Sequence, residues 1–241
     1  MNAIPSLSLA CPSRLMCVIV GGLVVGALLS VAAAMIGMSG AEPWTIVFIH
    51  VPAAWLSLLL FGVAVAGAAA TLQSGSVPAA LLLEALAPVG AAASFAALWT
   101  GLASQEAQGA WWGWDARLVC ELVLLLLFGG VMALQHWADE PAGAGRAGAV
   151  LVLTGALNIP IIYLSVDWWH TLHERAAASV GRSPLVTGAM ALMTMAFCMT
   201  AGAVVLARLD ASNRGREAGT RDFGTASAEG GSARTPAKEQ Q

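Results

Sequence analysis

Of the chain's 241 residues, 58% are hydrophobic and only 10% are charged. A soluble domain carries roughly 25% charged residues, so this composition belongs to a chain that lives in a bilayer and excludes an ordinary soluble enzyme. The formal net charge of −3 is small and evenly spread, which leaves no basic surface for nucleic acid.

A helix needs about 20 apolar residues to cross the hydrocarbon core. Six segments qualify: residues 15–36, 46–72, 81–103, 118–137, 147–165 and 185–209. The expected fold is therefore an all-α polytopic membrane protein with six transmembrane helices. It comprises an N-terminal segment 1–14, a membrane domain 15–209 and a tail 210–241. The first segment is too long for the core of a signal peptide and reads as a span. Cys11 is followed by the apolar run, not preceded by it, so it does not form a lipobox. The third segment carries Glu84 and Pro88 near its start. The fifth is the shortest and is interrupted by Asn158-Ile159-Pro160. Proline is tolerated in a membrane helix where neighbours satisfy the freed carbonyl.

Six spans put both termini on one side. With the termini inside, the inner segments hold Arg14, Arg146, Arg208, Arg214, Arg216, Arg221, Arg234 and Lys238, and the outer loops hold only Arg117, Arg175 and Arg182. That bias predicts cytoplasmic termini. The outer loops are then about 37–45, 104–117 and 166–184. The tail is rich in Gly, Ala, Ser and charges, with Phe223 its only large apolar residue. It cannot bury a core and is expected to be disordered.

Tryptophan is distributed unevenly. Trp44, Trp99, Trp111, Trp112, Trp114, Trp168 and Trp169 fall in or beside the outer loops, Trp55 lies a few turns inward, and only Trp137 reaches the inner boundary. An interfacial belt populates both faces, so it accounts for part of this set and not the whole. The densest cluster is Trp111-Trp112-Gly113-Trp114-Asp115-Ala116-Arg117. Three indoles in four residues offer a flat apolar platform, with an acid and an arginine at its edge. Such a surface suits a broad, flat, apolar ligand with charged groups on its rim.

His50 lies near the outer end of the second span, and an ionisable group there is a functional candidate by default. An interfacial histidine that is merely satisfied is the competing reading. Pro52 removes the helical bond to the Phe48 carbonyl. His170 and His173, in Asp167-Trp168-Trp169-His170-Thr171-Leu172-His173, share a face if that loop is helical. One histidine therefore stands in each outer region flanking the platform. Neutral imidazole is a good ligand for haem iron, and two of them above and below a flat ring give bis-axial ligation. Arg117 or Arg175 would meet the propionates. Asp115 also fits the N-cap of a helix starting at Ala116, with Glu121 in its first turns. His136 and Glu84 read as interfacial or paired. Cys11, Cys17, Cys120 and Cys198 lack CxxC or zinc spacing. No phosphate-cradling, nucleophile-elbow or HExxH motif is present, so any ATP must be handled by a partner.

Three islands resemble the tryptophan-rich WWD family of haem-handling membrane proteins, and within it the CcmC group of cytochrome c maturation. They are Ile49-His50-Val51-Pro52-Ala53-Ala54-Trp55, then Trp111-Trp112-Gly113-Trp114-Asp115-Ala116-Arg117-Leu118, then Asn158-Ile159-Pro160-Ile161-Ile162 running on to Ser165-Val166-Asp167-Trp168-Trp169-His170-Thr171-Leu172-His173. The resemblance covers about residues 15–208. It implies a bacterial inner-membrane protein that binds haem b as transient cargo at the periplasmic face. The cargo would lie between two axial histidines, His50 and His173, against a surface formed by Trp111, Trp112, Trp114, Asp115, Arg117, Trp168 and Trp169. His170 stands where the family pattern has an asparagine and is an alternative ligand. The implied partners are the haem chaperone CcmE, the ABC subunits CcmA and CcmB, the small protein CcmD, and membrane lipid. The chain departs from the family pattern at Gln108, where a further Trp is usual, and at Ser104–Ala107, which lacks the usual proline. The implied role is haem delivery to CcmE without turnover chemistry. A haem-translocating subunit of an ABC-type exporter and a structural scaffold of that complex are the alternatives. The cytochrome-ligation subunits that share the WWD loop are larger than this chain.

Overall fold

A computed structural model of the chain describes residues 12–38, 46–106, 115–137, 141–169 and 184–232, and their regular elements are all helical. Seven helices follow in chain order: α1 (Pro12–Met38), α2 (Val47–Ser74), α3 (Val77–Glu106), α4 (Ala116–Trp137), α5 (Pro141–Gly155), α6 (Asn158–Trp169) and α7 (Pro184–Ser232). The reason lies in the solvent. In lipid a backbone N–H or C=O has no water to bond, so each apolar run satisfies its polar groups within its own helix.

Five helical stretches are long and apolar enough to cross a membrane: Val47–Ser74, Val77–Ala103, Ala116–Trp137, Gly143–Leu164 and Val186–Arg216. The first of the six expected spans is a helix of 27 residues. The apolar stretch described within it, Met16–Leu29, is shorter than a full crossing.

The core lies where α2, α3 and α4 meet. Phe61 and Phe128 pack edge to face with centroids 5.6 Å apart. Gly90 of α3 lies over that contact, and a Cβ there would stand 2.2 Å from Phe128 Cζ. Leu124 and Val131 are buried beside it. The α2–α3 turn is set by Gly75, left-handed at φ 62°, whose N–H donates to the Thr71 carbonyl. Ser76 then caps α3, accepting at Oγ from the Ala79 N–H. At the other side of the bundle α1 packs along α7, with Gly26 against Thr200.

The structure differs from the sequence-based boundaries in three places. The fifth span is two helices, not one: α5 ends at Gly155 and α6 starts at Asn158. Asn158 Nδ2 donates to the Cys120 carbonyl at 2.9 Å, and Gly155 lets the chain close on Leu127 of α4, so the break is fastened to α4. Next, α6 runs to Trp169, past the expected loop start at Val166. Finally, α7 continues to Ser232 where an unstructured tail was expected from residue 210. Composition there rules out a buried core but not a helix: Ala, Arg and Glu favour helix, and Arg214 pairs with Asp210 one turn away.

Candidate functional site

One end of the bundle gathers the start of α2, the end of α3 and the start of α4, with α6 running out towards Trp169 beside them. His50 sits in the first turn of α2 and reaches across to α3. Its Nδ1 lies 2.8 Å from the Ala97 carbonyl and 3.3 Å from Thr100 Oγ1. A carbonyl only accepts, so Nδ1 carries the proton and donates. In the neutral ring the lone pair then belongs to Nε2, the arrangement found in metal-binding histidines whose other nitrogen is anchored. Thr100 Oγ1 is itself turned to α3, donating to the Ala96 carbonyl at 2.6 Å. Gly101 makes the approach possible. A Cβ at that position would stand 2.9 Å from His50 Cε1 and 2.4 Å from Leu118 Cδ2.

Asp115 is 7% exposed and caps α4 as its sequence pattern predicts. Its Oδ1 accepts from the Arg117 N–H at 2.8 Å, and its carbonyl accepts from the Val119 N–H at 3.0 Å. The cap fixes the first turn of α4, which carries Arg117 into a cleft of about 110 Å³ shared with His50, Trp55, Glu121 and Tyr163. Full ligand pockets hold roughly 300–1,000 Å³, so this cleft grips one side of a ligand instead of enclosing it. Arg117 Nε and Glu121 Oε1 are buried without hydrogen-bond partners among the described residues, and so is Ser94 Oγ on α3. Ser57 and Ser94 stand close enough to share the Glu121 carboxyl, so the unused bonding capacity in the cleft is that of Arg117 Nε, a costly arrangement unless a ligand or water completes it.

Of the predicted site residues, the structure brings His50 and Arg117 into one cleft and places Asp115 beneath them as the cap. Trp168 and Trp169 are the last residues of α6, the helix whose Tyr163 lines the same cleft. Trp111, Trp112, Trp114, His170 and His173 lie outside the described residues. Their segments join the chain at α3 and α4 and at the end of α6. Two lining residues had no assigned place at the site. Glu121 was read only as an acid near a helix start, although its i,i+4 spacing from Arg117 puts both on one face. Tyr163, the chain's single tyrosine, lies inside the third island, just after Ile162, with no pattern of its own.

Fold and cleft together define a multi-pass helical membrane protein with a half-open polar cleft at one end of its bundle, headed by an anchored histidine. The chain belongs to the CcmC family: a family model described as heme exporter protein C matches residues 3–223. Among curated relatives, the heme exporter protein C of Bradyrhizobium diazoefficiens is 49% identical over 133 residues, 55% of this chain and 51% of that protein. The heme exporter protein C of Escherichia coli K12 is 46% identical over 132 residues, 54% of each chain. That of Haemophilus influenzae is 36% identical over 156 residues, 64% of this chain and 63% of that protein. The matched part of the chain thus spans about half the length of the first two relatives.

Proposed function

We propose that this protein binds haem at the periplasmic face of the bacterial inner membrane and hands it to the chaperone CcmE during c-type cytochrome biogenesis. The observation that carries this reading is the His50–Ala97 bond inside a cleft that also holds Arg117. It sets the imidazole in the tautomer an iron ligand requires, beside a cation able to meet a carboxylate. Both groups stand at the bundle end to which the Trp111–Trp114 segment connects.

In this reading His50 and His173 are the axial ligands of haem b, carried as cargo, with His170 able to replace His173. Trp111, Trp112, Trp114, Trp168 and Trp169 hold the apolar faces and edges of the ring. Arg117 meets a propionate, and Asp115 acts through the cap that orients Arg117. The membrane domain crosses six times, α1 being the first span, with both termini cytoplasmic and the loops carrying Trp111–Trp114 and His173 periplasmic. The Lys/Arg distribution supports that orientation. CcmA, CcmB and CcmD are the expected companions, and the chain presents haem without turning it over.

The test is the absorption spectrum of detergent-purified protein expressed with haem available. Wild type is expected to show a Soret band that the His50→Ala/His173→Ala double variant loses or shifts. An unchanged band in the double variant refutes the ligand assignment, with His170→Ala added to remove the alternative ligand.

A further inference from the structure

The cleft that holds His50 and Arg117 is not closed towards the bilayer. It continues into a second hollow of about 470 Å³, lined by Leu59, Gly62, Val63 and Ala66 of α2 and Ile159 of α6. The two share Trp55, Leu58 and Tyr163 as common walls, so they form one passage. Trp55 is 59% exposed and Tyr163 50%, and Leu59 and Val63 also face outwards. The cause is the way α6 is attached. Asn158 and Gly155 fasten the α5–α6 junction to α4, and α6 packs along α4 while barely touching α2. A seam is left between α2 and α6.

The seam has a direction. From Trp55 to Ala66 it follows α2 for roughly 16 Å at 1.5 Å per residue, about half of a hydrocarbon core of ~30 Å. It therefore runs from the cleft to near the bilayer midplane. Every side chain added along the groove is apolar. Charged groups, Arg117 and Glu121, occur only in the cleft at its closed end. A ligand that travels this way must have an apolar body that tolerates acyl chains and an anionic edge that is stopped by a guanidinium. Among the described residues, two sides of the cleft are closed by α3, on which His50 is anchored, and by α4, whose Leu118 closes against Gly101.

We propose that haem reaches its site sideways, from the bilayer, through the open α2–α6 seam that joins the apolar groove to the His50–Arg117 cleft. This rests on the haem reading above and adds a route to it. The seam guides the ring by its apolar faces until a propionate meets Arg117, and Gly62, with no side chain, leaves that wall of the groove open. Lipid and groove are alike apolar, so the groove costs the ring nothing to enter, and the charged end halts it.

The test uses the full chain reconstituted in phospholipid vesicles that already contain haem b, with the growth of the Soret band followed in time. Gly62→Trp fills the groove, and an added Cβ at Gly62 meets no atom within 4 Å, so the side chain starts from open space. Ala66→Phe is the second plug, and Leu126→Trp, on the lipid-facing side of α4, is the control. Both plugs are expected to slow loading at least about tenfold, a barrier change of ~1.4 kcal/mol, while the final spectrum and the control rate stay as in wild type. Loading at the wild-type rate in both plugged variants overturns the route and leaves the haem site standing. Slowing equal to that of Leu126→Trp overturns it too. A plugged variant with no final band also overturns it, by making the groove part of the resting site. If wild type never acquires a Soret band, the haem reading fails and takes the route with it.

Discussion

His50 donates from Nδ1 to a backbone carbonyl, so any ligand bond made by this ring falls to Nε2. The residue stood out in the sequence as a candidate, since an ionisable group in an apolar run is rarely idle. Its partner was not. Ala97 lies 47 positions away and contributes a main-chain oxygen, for which no sequence pattern exists. Asp115 is the opposite case, because the cap motif is local and the structure places the carboxylate on the N–H two residues on. Removing that bond in Asp115→Ala is expected to cost about 1 kcal/mol, and Asp115→Asn to restore most of it, because an amide oxygen caps equally well. Thermal unfolding of the purified protein checks both. In the same variants haem occupancy should follow the cap: lowered in Asp115→Ala and recovered in Asp115→Asn. Occupancy that drops equally in both would show that the carboxylate's charge, not the cap, is what the site uses.

At the scale of elements, the apolar runs located the helices because length alone separates a crossing from a core segment. Their ends were harder to read. The Asn158-Ile159-Pro160 interruption was visible as a disturbance of the fifth span. Its meaning as two helices depends on an acceptor in α4, at Cys120, that the sequence does not disclose. The extension of α7 was missed because the composition of residues 210–232 was judged by its inability to bury a core, whereas helix formation asks only for propensity and local pairs. Asn158→Leu tests the junction. Interhelical hydrogen bonds in membranes contribute about 0.6 kcal/mol on average and up to ~1.7. A loss of stability in that range is expected, together with faster amide exchange in α6 than in α4. Equal exchange in the two helices would mean that packing at Gly155 suffices without the amide.

The whole molecule is polarised end to end. His50, Asp115 and Arg117 collect where α2 and α4 begin and α3 ends. The other end holds Glu84, Gln135 and Arg216 around a separate cleft of about 390 Å³. The helical extension after Arg216 belongs to that second end. Truncation after Arg216 is therefore expected to leave the Soret band and its intensity per protein unchanged in purified material. A shifted or weakened band would tie the two ends together. Of the cleft, the sequence singled out His50 and Arg117, polar groups out of place in an apolar chain, and passed over Glu121 and Tyr163. The walls that shape the cleft, such as Gly101 and Leu118, stayed hidden because small and aliphatic residues look alike wherever they stand. The fastening of α6 to α4 also bears on how the protein is made. A span broken by two turn residues carries an asparagine amide that lipid cannot satisfy, so the segment is poorly suited to leave the insertion machinery alone. The carbonyl that completes it is on Cys120, in a helix synthesised earlier. The order of the chain thus delivers the acceptor before the donor.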